Sequence, residues 1–83
     1  MLKIDYSDRD VLEIGCGSGR FTKEHLRQAG SVMGLDSDLA ALDILRTDWP
    51  RLSQAVGDWR GGSVPTFPLP AEEFDVAVIS QTV

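Results

Sequence analysis

The sequence predicts an α/β domain built on a parallel sheet, and three observations carry that prediction. Short apolar runs alternate with amphipathic stretches along the chain, without internal repeats or low-complexity tracts. The first apolar run, Val11-Leu12-Glu13-Ile14, passes directly into Gly15-Cys16-Gly17-Ser18-Gly19, a segment too rich in glycine to continue as strand or helix. The last run, Phe74-Asp75-Val76-Ala77-Val78-Ile79, is apolar enough to form a strand buried on both faces, as parallel strands are.

Each element follows in order. After the first strand and its glycine turn, Phe21, His25, Leu26 and Ala29 fall at helical spacing, which predicts a helix over residues 20–29 with Gly30 as its C-terminal glycine. Val32-Met33-Gly34-Leu35 reads as the second strand, ended by Asp36-Ser37-Asp38. Asp38 is placed to cap a helix carrying Leu39, Leu42 and Leu45, which Pro50 is expected to terminate. Residues 52–56 read as a weaker third strand stopped by Gly57-Asp58. The connection over residues 59–73 holds Gly61, Gly62, Pro65, Pro68 and Pro70, which predicts an irregular crossover with at most one helical turn.

Length and charge exclude other classes. A chain of 83 residues makes one small domain at most. Thirteen acidic against eight basic residues leave a net charge of −5, which argues against a free-standing nucleic-acid binder. No apolar run approaches the roughly 20 residues of a membrane span, and the first residues are too polar to begin a signal peptide, so a soluble cytoplasmic protein is expected. One cysteine and one histidine make no structural zinc set.

The candidate chemistry gathers at the carboxyl ends of the strands, where open α/β sheets bind ligands. Glycines at 15, 17 and 19 let a ligand approach the backbone, next to the free N–H groups that begin a helix. Spacing narrows the ligand. A dinucleotide fingerprint needs its third glycine at position 20, which is Arg20, and no Gly-Lys-Ser/Thr follows to make a P-loop. Cys16 has no His or acid arranged beside it in the motif and reads as a small loop residue. His25 reads as structural, and Arg20, Lys23 and Arg27, interrupted by Glu24, as a solvated helix face.

Over residues 10–83 the chain resembles the class I methyltransferases that use S-adenosylmethionine. The resemblance rests on Val11-Leu12-Glu13-Ile14-Gly15-Cys16-Gly17-Ser18-Gly19, on Gly34-Leu35-Asp36, on Gly57-Asp58 and on the run from Phe74 to Ile79, in the family's order. It implies a Rossmann-like three-layer fold with strand order 3-2-1-4. It also implies a cofactor site of Glu13, Gly15, Cys16, Gly17, Gly19, Asp36, Ser37, Asp58, Trp59 and Ser80. In that site Glu13 lies near the amino group of the methionine part and the glycine loop beside it. Asp36, about 20 residues past the first glycine, accepts both ribose hydroxyls, as the acid of a dinucleotide site does. Asp58 accepts from the adenine amino group, and Trp59 covers the adenine face. Substrate would bind beyond the fourth strand, by Ser80, Gln81 and Thr82, where no residue is a convincing general base.

The sequence departs from the family in two ways. Ser80-Gln81-Thr82-Val83 is not the Asn/Asp-Pro-Pro-aromatic segment of enzymes that methylate base or amide nitrogens. The family's sheet has seven strands, and residues 1–83 are expected to supply the cofactor-binding half alone, as a fragment or with a partner. The open fourth strand then invites self-association or partner capture. Two functions follow: methyl transfer to an unidentified acceptor, or an adenosyl-binding or interaction module without turnover. A nicotinamide-dinucleotide domain is disfavoured by Arg20.

Overall fold

The computed structural model describes residues 4–62 and 73–80. In chain order the elements are β1 (Asp10–Ile14), α1 (Arg20–His25), β2 (Ser31–Asp36), α2 (Leu39–Leu52), β3 (Val56–Gly61) and β4 (Val76–Ile79). The strands form one sheet of order β3-β2-β1-β4, and every pairing is parallel. This is the order that the family resemblance implies.

Strand alternation divides the sheet into two faces. Val11 and Val32, paired across β1 and β2, point to one face and join Leu26, Ala29, Leu42, Leu45, Trp49 and Trp59 in a single buried cluster. α2 and the segment that follows α1 therefore cover that face, with Phe21 of α1 packed against the cluster. Each fully buried leucine there contributes about 2 kcal/mol by leaving water. Leu12, Met33 and Leu35 are buried on the reverse face. The described residues thus show two of the three expected layers.

Local signals that close within a few residues are realised. Asp38 caps α2, its Oδ1 accepting from Ala41 N–H at 3.1 Å. Other expectations are corrected. α1 stops at His25 rather than residue 29, with Leu26 as its C-cap, although Leu26 and Ala29 are buried as their spacing requires. Gly30 is not a helix end: its N–H donates to the Arg9 carbonyl at 2.8 Å as the chain enters β2. Pro50 lies inside α2, which runs to Leu52. The last turn survives because Trp49, buried and donating its indole N–H to the Ala55 carbonyl at 2.8 Å, anchors it.

The third strand also lies further along than its composition suggests. Residues 53–55 form the turn, and Gly57-Asp58 sits within β3 instead of stopping it. The reason is Trp59, whose ring is buried against Trp49 at 5.6 Å between centroids, nearly perpendicular. Trp59 lies across Gly34 and Gly57, where a Cβ would stand 2.6 and 2.5 Å from the indole. Glycine at those two positions is what admits the ring. β4 is shorter than the run from Phe74 and is not buried on both faces, since Ile79 is 77% exposed. It forms an edge of the described sheet, pairing with β1. The irregular crossover with Pro65, Pro68 and Pro70 lies outside the described residues.

Candidate functional site

The carboxyl ends of β1, β2 and β4 meet around the glycine loop. Gly15 N–H donates to the Leu35 carbonyl at 2.7 Å, which ties the loop to β2, and Ser80 N–H donates to the Ile14 carbonyl at 3.0 Å, which brings the end of β4 beside it. Between them opens a cleft of about 570 Å3, lined by Gly15, Cys16, Gly17, Ser18, Arg20, Phe21, Glu24 and Ser80. Clefts of this volume hold small-molecule ligands.

Asp36 ends β2 at the rim of this loop. Its two carboxylate oxygens are held separately: Oδ2 accepts from Gly17 N–H at 2.8 Å, and Oδ1 from Asp38 N–H at 2.8 Å. Two backbone donors thus fix the carboxylate, while each oxygen keeps a further lone pair for a ligand hydroxyl. Ser37 is exposed at the turn that follows.

Glu13 is fully buried beneath the cleft rather than lining it. Oε1 accepts from the Thr22 hydroxyl, and Oε2 from the Ser80 hydroxyl at 2.5 Å. Burial pushes its carboxyl above the ordinary glutamate value; the hydrogen bonds from Ser80 and Thr22 oppose that shift, and the charge of Asp36 adds to it. Cys16 is buried in the loop, and burial, with the charges of Glu13 and Asp36, pushes its thiol up to about 12. It stays protonated at neutral pH and is no nucleophile.

Of the residues expected at the site, Gly15, Cys16, Gly17 and Ser80 line the cleft, Asp36 adjoins it through Gly17, and Glu13 supports it from below. Gly19 is turned inward, against Leu45. Two of the expected residues lie away from the cleft. Asp58 lies within β3, paired in register with Met33, and its half-exposed carboxylate binds the Arg60 guanidinium at 2.8 Å instead of standing past the strand end. Trp59 is buried in the core against Trp49 and does not line the cleft. Gly61 stands level with Asp36, and Gly62 N–H donates to the Asp36 carbonyl at 3.0 Å. Asp58→Ala is therefore expected to cost under about 1 kcal/mol of stability, as exposed ion pairs do, and to leave ligand affinity within about twofold. A calorimetric titration beside a denaturation curve checks both. Gln81 and Thr82 lie outside the described residues.

Sequence reasoning missed Thr22, Phe21 and Glu24, and read Arg20 as solvated face. Thr22, fully buried, breaks the apolar stripe of its helix one position after Phe21. A polar residue there, nine positions past the strand-borne Glu13, is the signal of a side-chain bond back to β1.

Three comparisons with known proteins converge. A family model described as a methyltransferase domain matches residues 11–83. A probable S-adenosylmethionine-dependent methyltransferase of Mycolicibacterium smegmatis is 39% identical over 75 residues, covering 90% of this chain and 27% of the relative. The chain thus spans about a quarter of that relative's length. A dimethyladenosine transferase from Plasmodium falciparum superposes with a TM-score of 0.77 at 26% identity, over 92% of this chain and 27% of the other. A TehB-like S-adenosylmethionine-dependent methyltransferase from Corynebacterium glutamicum gives 0.73 at 25% identity, over 90% and 38%. A methyltransferase from Mesorhizobium loti shares the fold, with a TM-score of 0.78 at 22% identity over 96% and 36%.

Proposed function

The chain belongs to the class I S-adenosylmethionine-dependent methyltransferase family, and on that premise we propose that the glycine-loop cleft binds S-adenosylmethionine for methyl transfer to an acceptor. The observation that carries this reading is Asp36: a carboxylate that adjoins the cleft through Gly17, oriented by Gly17 and Asp38 N–H groups, suited to accept both hydroxyls of a ribose.

The remaining donor set fits the cofactor's other end. An amino-acid zwitterion needs acceptors for its ammonium and a cation for its carboxylate. The Ser80 hydroxyl and Gly15 carbonyl supply the first beside the buried Glu13, and Arg20 at the mouth supplies the second. Bound there, the cofactor supplies a sulfonium methyl open to in-line attack by a nucleophile. The chain's own contribution is to position and desolvate: the loop backbone packs close, and Phe21 gives the cleft an apolar wall. Asp58 and Trp59 have no part in this reading.

Arg20 separates this ligand from a dinucleotide, because it puts a long side chain where the third glycine of the dinucleotide fingerprint lets helix and strand pack closely. S-adenosylhomocysteine is expected to bind at least about tenfold more tightly than NADH in parallel calorimetric titrations. Tighter binding of NADH would overturn the reading.

A further inference from the structure

The Ser80 hydroxyl has one proton and two acceptors within reach, Glu13 Oε2 at 2.5 Å and the Gly15 carbonyl at 3.2 Å. Which acceptor takes the proton depends on Glu13. An ionised carboxylate has no proton to give, so Ser80 must donate to it; a neutral carboxyl can donate to Ser80 instead, which frees the serine proton for Gly15. We infer that Ser80 is a proton-switched reader of a cationic amine: with Glu13 ionised, the Ser80 and Gly15 oxygens each offer both lone pairs to an ammonium in the cleft, and with Glu13 neutral the serine accepts from Glu13 and turns its proton onto Gly15, so that each oxygen keeps one lone pair and the pair becomes the weaker acceptor. This inference rests on the S-adenosylmethionine reading of the cleft and makes Glu13 a positioning residue that acts through Ser80.

The surroundings of Glu13 support a switch. Its carboxylate is fully buried, so the ionised form is held by the Thr22 and Ser80 hydroxyls rather than by water. Burial is the main influence raising its proton affinity, Asp36 from the end of β2 adds to it, and His25 on α1 opposes it. The Cys16 thiol faces it from the loop and remains neutral. Of the other charged groups on α1, Arg20 and Glu24 line the cleft and Lys23 is taken by Asp48 of α2 at 2.6 Å, while Asp75, before β4, binds the Asp10 amide.

The sign follows from linkage. An ammonium beside Glu13 favours the carboxylate, so the complex holds Glu13 ionised more strongly than the free protein does. Binding then releases a proton wherever free Glu13 is neutral, and affinity rises with pH until free Glu13 ionises. The limiting slope is about tenfold per pH unit.

The test titrates the full chain calorimetrically with two ligands from about pH 4.5 to about pH 6.5, a range in which the amino-acid tail stays zwitterionic. One ligand is S-adenosylhomocysteine; the other is 5′-methylthioadenosine, the same nucleoside without the tail. S-adenosylhomocysteine is expected to bind at least tenfold more tightly at the upper end than at the lower, with proton release at the lower end, while methylthioadenosine stays flat. Glu13→Gln and Ser80→Ala are each expected to flatten the first profile, and His25→Gln to keep it. Parallel profiles for the two wild-type ligands, a flat S-adenosylhomocysteine profile, or loss of the slope in His25→Gln would overturn the switch and leave the cofactor reading standing. Failure of both ligands to bind would overturn the cofactor reading and the switch with it.

Discussion

Asp36→Ala is expected to weaken S-adenosylhomocysteine binding by about 100-fold or more. Two charge-assisted hydrogen bonds to ribose are at stake, each worth about 1.5 to 3 kcal/mol when buried, which together exceed a factor of 100. The substitution also removes the partner of the Gly17 amide, whose acceptor is almost fully buried, so the loop loses its tie to β2. The two causes separate by changing the ligand. The wild-type protein is expected to discriminate strongly against a 2′,3′-dideoxy analogue, and Asp36→Ala to bind both ligands alike. Asp38→Ala serves as the control, since it removes the α2 cap at Ala41 N–H, worth about 1 kcal/mol, without touching the ribose acceptor. An Asp36→Ala protein of unchanged affinity would remove Asp36 from the site.

Gly19→Ala is expected to destabilise the fold by about 2 to 5 kcal/mol, a large part of the 5 to 15 kcal/mol that holds a domain together. Gly19 sits at φ 95°, a left-handed conformation that costs other residues about 1 to 2 kcal/mol. An added Cβ would also stand 2.4 Å from Leu45 Cδ1 and 3.3 Å from its Cγ, and Leu45 is fully buried with little room to turn, so overpacking adds about 1 to 3 kcal/mol. Leu45→Ala alone should cost about 2 to 5 kcal/mol through the cavity it leaves. Because the new methyl would occupy part of that cavity, the double substitution should cost at least about 1 kcal/mol less than the two singles added. Urea denaturation at constant m measures all three. A Gly19→Ala protein within about 0.5 kcal/mol of wild type, or strict additivity, would show that the glycine loop does not rest on Leu45.

Much of the fold was legible where the deciding contact is short in sequence. Asp38 bonds an amide three residues on, and that cap was readable. The third strand was misplaced because Gly57-Asp58 has the composition of a turn, while the contact that decides it joins Trp59 to Trp49 and to the bare backbone of Gly34 on another strand. The same displacement places Asp58 and Trp59 away from the glycine-loop cleft. α1 was drawn too long because Leu26 and Ala29 keep the spacing of a buried stripe, and burial persists there after helical bonding has ended.

The alternation of strand and helix, the glycine loop after β1 and the acid that ends β2 are written in residue type and spacing, since each depends on a short segment of chain. The place of Glu13, under the cleft and joined to it through Ser80, comes from the folded sheet. Those two residues are 67 apart in the chain and become neighbours because β4 pairs beside β1. Parallel pairing sets the register, register sets which side chains share a strand end, and a carboxylate's charge depends on what has closed over it.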